Sequence, residues 1–500
     1  MSMPAEHMKP APTLDQLLRG YADAPAIPVH GIASDSRQLQ RGDLFLAVQG
    51  AGSHGLDYIA QALEAGVCAV AWDASTGVAP AEVGVPLIAV NRLEQSLGAI
   101  ADRFYGQPSD HLDVIGVTGT NGKTTVAWMI AQAAELLGEK CAYLGTLGYG
   151  VDAVTAGAGM TTPAAVELHG RLAAFVEQGA GHAAIEVSSH ALSQGRVDGV
   201  RFDTAIFTNL TRDHLDYHAN MQEYFESKAR LFLDCAPRSR IINLDSEYGA
   251  QLATMCGPDV VTVSTQFDRI TNGRRYVFVR SVVATEQGSG VSFISSWGDG
   301  RFVLPLPGDF NVANAVVVLA LLLEKGVPVE AACDVLSELG APPGRMQRVT
   351  AGRPAVYVDY AHTPDALDVA LRALRAHCRG KLWCVFGCGG DRDTGKRPQM
   401  GKVAESRGDA VVITTDNPRD EDSAAIIADV VAGITRPDAA TIIEDRAAAI
   451  AWAIEQAGDH DVVLIAGKGH EDYQEVDGTR RRFSDYAVAQ SALAAREGRA

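Results

Sequence analysis

Gly116-Val-Thr-Gly-Thr-Asn-Gly-Lys-Thr124 stands between an apolar run, Leu112-Asp-Val-Ile-Gly-Val117, and a long helical pattern, TTVAWMIAQAAELLG, that begins at Thr124. Strand, glycine-rich turn and helix in that order open a nucleotide-binding βα unit. In such a turn, backbone N–H groups and the helix N-terminus hold phosphate oxygens. Lys123 neutralises the β and γ charge, and the Thr124 hydroxyl can ligate magnesium. The strict phosphate-loop pattern asks for glycine at position 117, where valine stands. The loop is therefore a variant, Gly119, Thr120, Asn121, Gly122, Lys123 and Thr124, followed by Thr125. A glycine turn without a ligand is the alternative. Strand, lysine, threonine and helix together weigh against it, and ATP is the expected ligand, with Mg2+.

The chain of 500 residues is too long for one hydrophobic core. Three domains are expected: 1–103, 104–341 and 342–500. In the first, DLFLAVQG followed by YIAQALEAGVCAVAW reads as a small α/β domain. The second holds the phosphate loop in a mostly parallel sheet. Turn signals at Gly288-Ser-Gly290 and Gly298-Asp-Gly300 add an antiparallel ribbon to it. Past Pro342-Pro343-Gly344, the runs AVYVDYA, LWCVFG, AVVITT and VVLIAG alternate with helical stretches as in a Rossmann-like, doubly wound sheet.

Composition excludes several function classes. A net charge of −18 without a basic stripe argues against a nucleic-acid partner. The longest uninterrupted apolar stretch, Ala315 to Leu323, is too short to span a bilayer, and MSMPAEHMKPAP carries no apolar leader pattern. A cytoplasmic protein without membrane contact is expected. The eight cysteines form no CxxC pair and read as buried thiols.

Two further apolar strands end in polar clusters. HAAIEVSSH supplies Glu186, Ser188 and His190; FDTAIFTNLTRDHLDYH supplies Arg212, Asp213, His214, Asp216 and His218. Ligands of open parallel sheets sit outside the carboxyl ends of the strands, so these residues are expected near the ATP phosphates. Glu186 and Thr124 offer the oxygen ligands magnesium wants, and a histidine is tolerable beside them. His214-x-x-x-His218 could instead suit zinc, or the histidines could be helix caps or surface residues. In the next helix the apolar face of Met221, Tyr224, Phe225 and Phe232 also carries Lys228. That lysine could snorkel, or be buried near a metal with a depressed pKa; the residues alone leave both open.

TGTNGKTT, EVSSH, FTNLTRDHLDYH with its downstream lysine, GDFNVANA, GRMQRV and DYAHTPDAL, in this order and spacing, resemble the Mur ligases, ATP-dependent amino-acid-adding enzymes of peptidoglycan synthesis. The resemblance covers nearly the whole chain. It implies that Lys228 is carbamylated and joins Glu186 and His214 as a magnesium ligand. It further implies that Asn311 and Asn314 touch the adenine side, Arg345 a phosphate, and Asp359 and His362 the nucleotide from the third domain. Ser34 and Ser36 match uridine-nucleotide contacts of the first domain. Thr161, Thr162, Ser188, Gln194 and Arg196 match positions that hold the muramoyl-dipeptide. The implied chemistry activates a carboxylate as an acyl phosphate, which an amine then displaces. A monomer is expected.

Three strands of the third domain end in VFGCGGDRD, VITTDNPRDED and LIAGKGHEDYQ, loops that one sheet edge would bring together. Arg392, Asp416, Asn417, Arg419, Gly467 and Glu471 offer cations for carboxylates and acceptors for ammonium groups. Any one loop could be ordinary surface salt bridging; three at once argue for a two-ended substrate. Asp416-Asn417-Pro418-Arg419 resembles the recognition motif of the family member that adds meso-diaminopimelate to UDP-N-acetylmuramoyl-L-alanyl-D-glutamate. There Pro418 restricts the turn, Asp416 and Asn417 are expected as acceptors, and Arg419 is expected to grip a distal carboxylate that lysine lacks.

Overall fold

The computed structural model describes residues 11–498 apart from 51, 79, 156–159, 267–274, 286, 350–351, 437 and 439. Most of MSMPAEHMKPAP thus lies outside the described residues. Two compact units are present: Met1–Thr120 with Glu139–Arg240, and Asn121–Gly138 with Ile241–Ala500.

The first unit holds two sheets. A parallel four-stranded sheet runs Gly31–Ala33, Asp43–Ala47, Ala69–Asp73, Leu87–Val90. Leu44 and Leu46 face one core with the helix Leu93–Phe104, whereas Phe45 and Ala47 face another with Ala62. Side chains alternate across a strand, so a run without polar interruption is what a strand covered on both faces requires. In the second sheet, Asp113–Thr118 lies between the parallel strands Thr204–Phe207 and His182–Glu186. Cys141–Gly145 follows outside the latter, and Gly148–Gly150 is the antiparallel edge. Parallel pairing sends the chain ends at Thr118, Glu186 and Phe207 to one edge, as the sequence implied.

In the second unit, the helix Lys123–Leu136 packs on Asp309–Glu324, whose Ala315–Leu323 stretch is buried as core. No helix among the described residues is long and apolar enough to cross a membrane. Val261–Ser264 pairs in parallel with Ser239–Asn243 and with Arg275–Thr285. Gly288–Ser295 and Gly300–Leu304 then complete the expected antiparallel ribbon. One turn signal is corrected. Gly288-Ser-Gly290 lies inside a strand, and the reversal precedes it. A Cβ on Gly288 would stand 1.9 Å from the Leu304 carbonyl oxygen, so this glycine serves a close strand approach.

The six-stranded sheet of this unit runs Gln347–Arg348, Ala355–Asp359, Val462–Ala466, Leu382–Phe386, Ala410–Ile413, Ala440–Ile442, with only the first strand antiparallel. Helices Pro364–Arg375, Lys396–Arg407 and Ser423–Val431 bury one face, and Arg446–Gln456 and Asp485–Glu497 the other. Beneath the carboxyl edge, fully buried Arg446 forms a bidentate pair with Asp485 at 2.7 Å on both oxygens. It also donates to the carbonyls of Thr415 at 3.1 Å and Ala466 at 2.9 Å. Asp485→Leu strands that cation and is expected to cost about 3–5 kcal/mol, read as a lower urea midpoint. Arg446→Met with Asp485→Leu is expected to recover most of the loss.

The cysteines are reduced among the described residues, but Cys68, Cys235, Cys256 and Cys378 are only partly buried, a correction to the expectation of eight buried thiols. Burial pushes the thiols of Cys141, Cys384 and Cys388 up to about 12, which keeps them unreactive.

Candidate active site

Gly119 has φ +150°, and a Cβ there would stand 2.0 Å from Thr208 Oγ1 and 2.9 Å from the Asn209 carbonyl. Only glycine lets the loop pass that backbone. Thr120 N donates to Asn209 O at 2.9 Å, and the Thr120 hydroxyl lies 3.2 Å from Thr211 O and 3.1 Å from the Tyr224 hydroxyl. Past Asn121, Gly122 precedes the helix with φ +88°, Lys123 opens it, and Thr124 and Thr125 are buried in its first turn. The helix start thus presents the first N–H groups of the helix and its positive dipole end, the arrangement that favours phosphate. In the same unit, Asn311 and Asn314 are buried in the first turns of Asp309–Glu324, with Asn311 Nδ2 donating to Pro307 O at 2.9 Å.

In the first unit, Glu186 is fully buried at its strand end. Its Oε1 accepts from the Tyr143 hydroxyl at 2.6 Å and Thr146 N at 2.8 Å, and its Oε2 from the Thr146 hydroxyl at 3.2 Å. Lys228 is 1% exposed; its ammonium donates to Gly119 O at 2.9 Å and lies 4.6 Å from the centre of the Tyr224 ring. The snorkelling alternative is thereby corrected: helical periodicity turns Lys228 inward, onto the Gly119 carbonyl. Burial pushes the Tyr224 phenol up to about 12, so it stays a neutral partner.

His214 adopts a left-handed backbone and is partly exposed, its ring 5.0 Å from that of His190. His218 is buried, with Nε2 3.0 Å from the Ser189 hydroxyl. Burial holds both His190 and His218 low, and the neighbouring His214 adds to the effect on His190. The rings of His214 and His218 both lie beside that of His190, at 5.0 and 5.8 Å between centres. No metal-spaced group of three His, Cys, Asp or Glu occurs among the described residues. Magnesium suits the donors better: Glu186 is oriented by Tyr143 and Thr146 as metal ligands are by their outer partners. Lys228 fits a magnesium set only once its amine has become a carbamate, because a hard cation takes oxygen.

The residues expected to hold the muramoyl-dipeptide lie together. Thr162 Oγ1 donates to Glu186 O at 2.7 Å and accepts from Ser188 N at 3.1 Å. Arg196 donates to Thr162 O at 3.0 Å and through Nε to Gln194 Oε1 at 2.9 Å, while Gln194 Nε2 reaches the Tyr217 hydroxyl at 3.1 Å. Thr161 and Thr146 share a hydroxyl contact of 3.3 Å. The short spacing of these residues concealed the parts played by Tyr143, Thr146 and Tyr217, which arrive from other elements. Ser34 and Ser36 follow the strand Gly31–Ala33, and the Ser36 hydroxyl donates to Gln61 at 2.9 Å. Among the described residues no hydrogen bond joins them to the Thr162 cluster.

In the second unit, Asp359 ends its strand and accepts from Met346 N at 2.7 Å and Ala361 N at 2.8 Å; burial raises its carboxyl against the pull of Arg345. The Arg345 guanidinium lies 4.8 Å from the centre of the Tyr360 ring, and His362 Nδ1 is 2.8 Å from Tyr360 O.

The strands ending at Ala466, Phe386 and Ile413 are neighbours, so the three predicted loops share one edge. Asn417 Nδ2 donates to Glu471 Oε2 at 2.9 Å, and Gly467 N donates to Asp359 O at 3.1 Å. Arg419 donates to Gly390 O, and its backbone is pinned by Arg419 N to Glu475 O at 3.1 Å and Asp477 N to Arg419 O at 2.8 Å. No carboxylate of the described residues pairs with Arg419. Neighbouring Glu421 instead binds buried Arg397 at 2.7 Å, and Asp422 caps the helix Ser423–Val431. Arg392 is exposed two residues beyond Gly390, and no hydrogen bond joins it to the others.

Two readings change. Asn417 was expected as an acceptor, but its Oδ1 already takes Lys468 Nζ at 2.8 Å and Glu475 N at 3.0 Å, so it can offer only a donor. Lys468, fully buried and 3.3 Å from Glu471, is a site cation that sequence reasoning passed over between Gly467 and Glu471. A lysine enclosed by polar loop residues gives no periodic signal.

Three family models match successive segments: "Mur ligase family, catalytic domain" over 28–105, "Mur ligase middle domain" over 117–322 and "Mur ligase, glutamate ligase domain" over 344–469. This chain belongs to the Mur ligase family. Within it, the chain is 46% identical over 497 residues to the UDP-N-acetylmuramoyl-L-alanyl-D-glutamate–2,6-diaminopimelate ligase of Xanthomonas campestris pv. campestris, covering 98% of this chain and 99% of that one. The ligase of the same name from Pseudomonas aeruginosa is 46% identical over 471 residues, 94% and 96% of the two chains. A solved structure of a ligase so named superposes with a TM-score of 0.74 at 34% identity, covering 97% and 99%. MurF of Thermotoga maritima in complex with ADP shares the fold at 15% identity, with a TM-score of 0.60 over 94% and 98%.

Proposed function

We infer that this chain is an ATP-dependent ligase that joins meso-diaminopimelate to the D-glutamate of UDP-N-acetylmuramoyl-L-alanyl-D-glutamate in peptidoglycan precursor synthesis, releasing ADP and phosphate. The observation that carries the choice of amino acid is the Arg419 guanidinium, which no carboxylate of the described residues satisfies. Asp416 and Glu471 stand in the same cluster. Cation and carboxylates suit an amino-acid end bearing both a carboxylate and an ammonium group.

Amide formation from a carboxylate needs a better leaving group than oxide. The substrate carboxylate attacks the γ-phosphorus of ATP, the bond to ADP breaks, and an acyl phosphate forms. The incoming amine adds to the acyl carbon, and phosphate leaves as the amide closes. Lys123 and the N–H groups that open its helix spread the charge on the transferring phosphoryl group. Magnesium, when held by Glu186, Thr124, His214 and a carbamylated Lys228, supplies further charge neutralisation. Arg196, Gln194, Thr161, Thr162 and Ser188 hold the dipeptide, and Ser34 and Ser36 the uridine nucleotide. Asn311, Asn314, Arg345, Asp359 and His362 bind the nucleotide side of ATP. The domain limits 1–103, 104–341 and 342–500, a monomeric state and a cytoplasmic location belong to the same reading.

Phosphate release from ATP is expected to require both the UDP-muramoyl-dipeptide and meso-diaminopimelate. Equal release with L-lysine in place of the latter would overturn the specificity.

A further inference from the structure

Lys468 has no exposed surface and sits in the short loop after the strand Val462–Ala466. Its ammonium lies 2.8 Å from Asn417 Oδ1, 3.3 Å from Glu471 Oε2, 3.9 Å from Asp416 Oδ1 and 5.5 Å from the centre of the Tyr473 ring. One buried cation thus touches three side chains of the amino-acid cluster. The most direct consequence falls on Asn417. Glu475 N also donates to Asn417 Oδ1, at 3.0 Å, so both lone pairs of that oxygen are taken. Turning the amide over would set its NH2 against an ammonium and a backbone N–H, two donors facing donors. The orientation is therefore dictated by chemistry, independently of how the amide atoms are assigned. In that orientation Nδ2 gives one hydrogen to Glu471 Oε2 at 2.9 Å, and no acceptor among the described residues takes the other.

We propose that Lys468 is the positioning residue that locks Asn417 as a donor, two residues from Arg419, and so builds selectivity for an amino acid with a distal carboxylate. The inference rests on the diaminopimelate reading and deepens it. Lys468 also offsets the charge of Asp416 or Glu471, which would otherwise oppose an incoming carboxylate. Without it, only the Glu475 N–H holds the amide oxygen in place, and the barrier to turning the amide and presenting an acceptor falls.

The test measures phosphate release by the full-length enzyme with ATP, UDP-muramoyl-dipeptide and either meso-diaminopimelate or L-lysine. Lys468→Met is expected to raise the KM for meso-diaminopimelate at least tenfold, to leave the KM for ATP within twofold, and to narrow the preference over L-lysine. Lys468→Gln, which keeps a donor on Asn417 Oδ1 without the charge, is expected to retain most of that preference. Asn417→Asp keeps the acceptor for Lys468 and Glu475 but has no N–H to give, and is expected to lose the preference even if Lys468→Met does not fold. In an Asn417→Leu background, Lys468→Met should add less than twofold. A wild-type KM in Lys468→Met, full loss of preference in Lys468→Gln, retained preference in Asn417→Asp, or independent effects in the double variant overturns the proposal. Wild-type release that is indifferent to meso-diaminopimelate overturns the substrate reading and this inference together; dependence in the wild type with unchanged variants overturns this inference alone.

Discussion

Lys228→Ala is expected to lower kcat by about 100- to 1,000-fold, the loss typical when one preorganised charge-stabilising group is removed from an acyl- or phosphoryl-transfer site. The lysine is buried with its ammonium on Gly119 O at 2.9 Å, so removal also leaves a cavity. ATP affinity, measured separately by fluorescent-nucleotide titration, should fall far less than kcat, because the helix opened by Lys123 keeps its own phosphate-binding groups. If Lys228 works as a carbamate, short carboxylates such as acetate or propionate should restore part of the rate in Lys228→Ala. They place an anionic oxygen where the side chain has gone. A variant that is inactive, folded and deaf to carboxylates would instead assign Lys228 the role of anchoring Gly119, and the carbamate would be abandoned.

The parts of this site visible in sequence are those whose signal is local. Gly119 to Thr124 could be read because strand, turn and helix are contiguous and each residue type answers one need of a bound phosphate. Lys228 was visible as an anomaly because a helix of 3.6-residue period puts it on the face of Tyr224, Phe225 and Phe232. The edge shared by three loops followed from parallel strand topology, which the structure bears out between Ala466, Phe386 and Ile413.

What stayed hidden depends on partners far apart in the chain. The acceptor capacity of Asn417 is consumed by Lys468 and Glu475, 51 and 58 residues away, so no local rule for asparagine could give its outward group. The carboxylates that crowd Arg419 in sequence are not its partners. Glu421 turns to Arg397, whose burial could not be foreseen in the polar stretch Asp391-Arg-Asp-Thr-Gly-Lys-Arg397, and Asp422 turns to the following helix. Adjacency along a turn says little about where side chains point, because successive residues there leave the backbone in different directions. The misplaced turn at Gly288 has the same origin: glycine marks either a reversal or a close approach, and only the position of Leu304 separates the two.

Arg419→Ala is expected to raise the KM for meso-diaminopimelate by about 100- to 20,000-fold. A planar guanidinium can make two parallel charge-assisted bonds to a carboxylate, worth roughly 1.5–3 kcal/mol each, and every 1.4 kcal/mol is about tenfold. The backbone at this position should survive the change. Its left-handed φ of +55° is already borne by a residue with a Cβ, and its hydrogen bonds to Glu475 and Asp477 use main-chain atoms only. Alanine therefore removes the cation and little else. Arg419→Lys keeps the charge but not the planar fork, and should recover only a minor share of the loss. Selectivity should move in step: activity with L-lysine, which has no distal carboxylate to lose, should change much less, so the ratio of kcat/KM values for the two amino acids collapses toward one. The KM for ATP should stay within about twofold, since the phosphate loop and the Asn311 helix are untouched. Parallel rises in the KM for ATP and for the amino acid would mean that Arg419 supports the fold of the domain and not the choice of substrate. A collapse confined to meso-diaminopimelate would mean that the guanidinium, held by a single backbone carbonyl in the protein alone, has its remaining donors committed to the ligand.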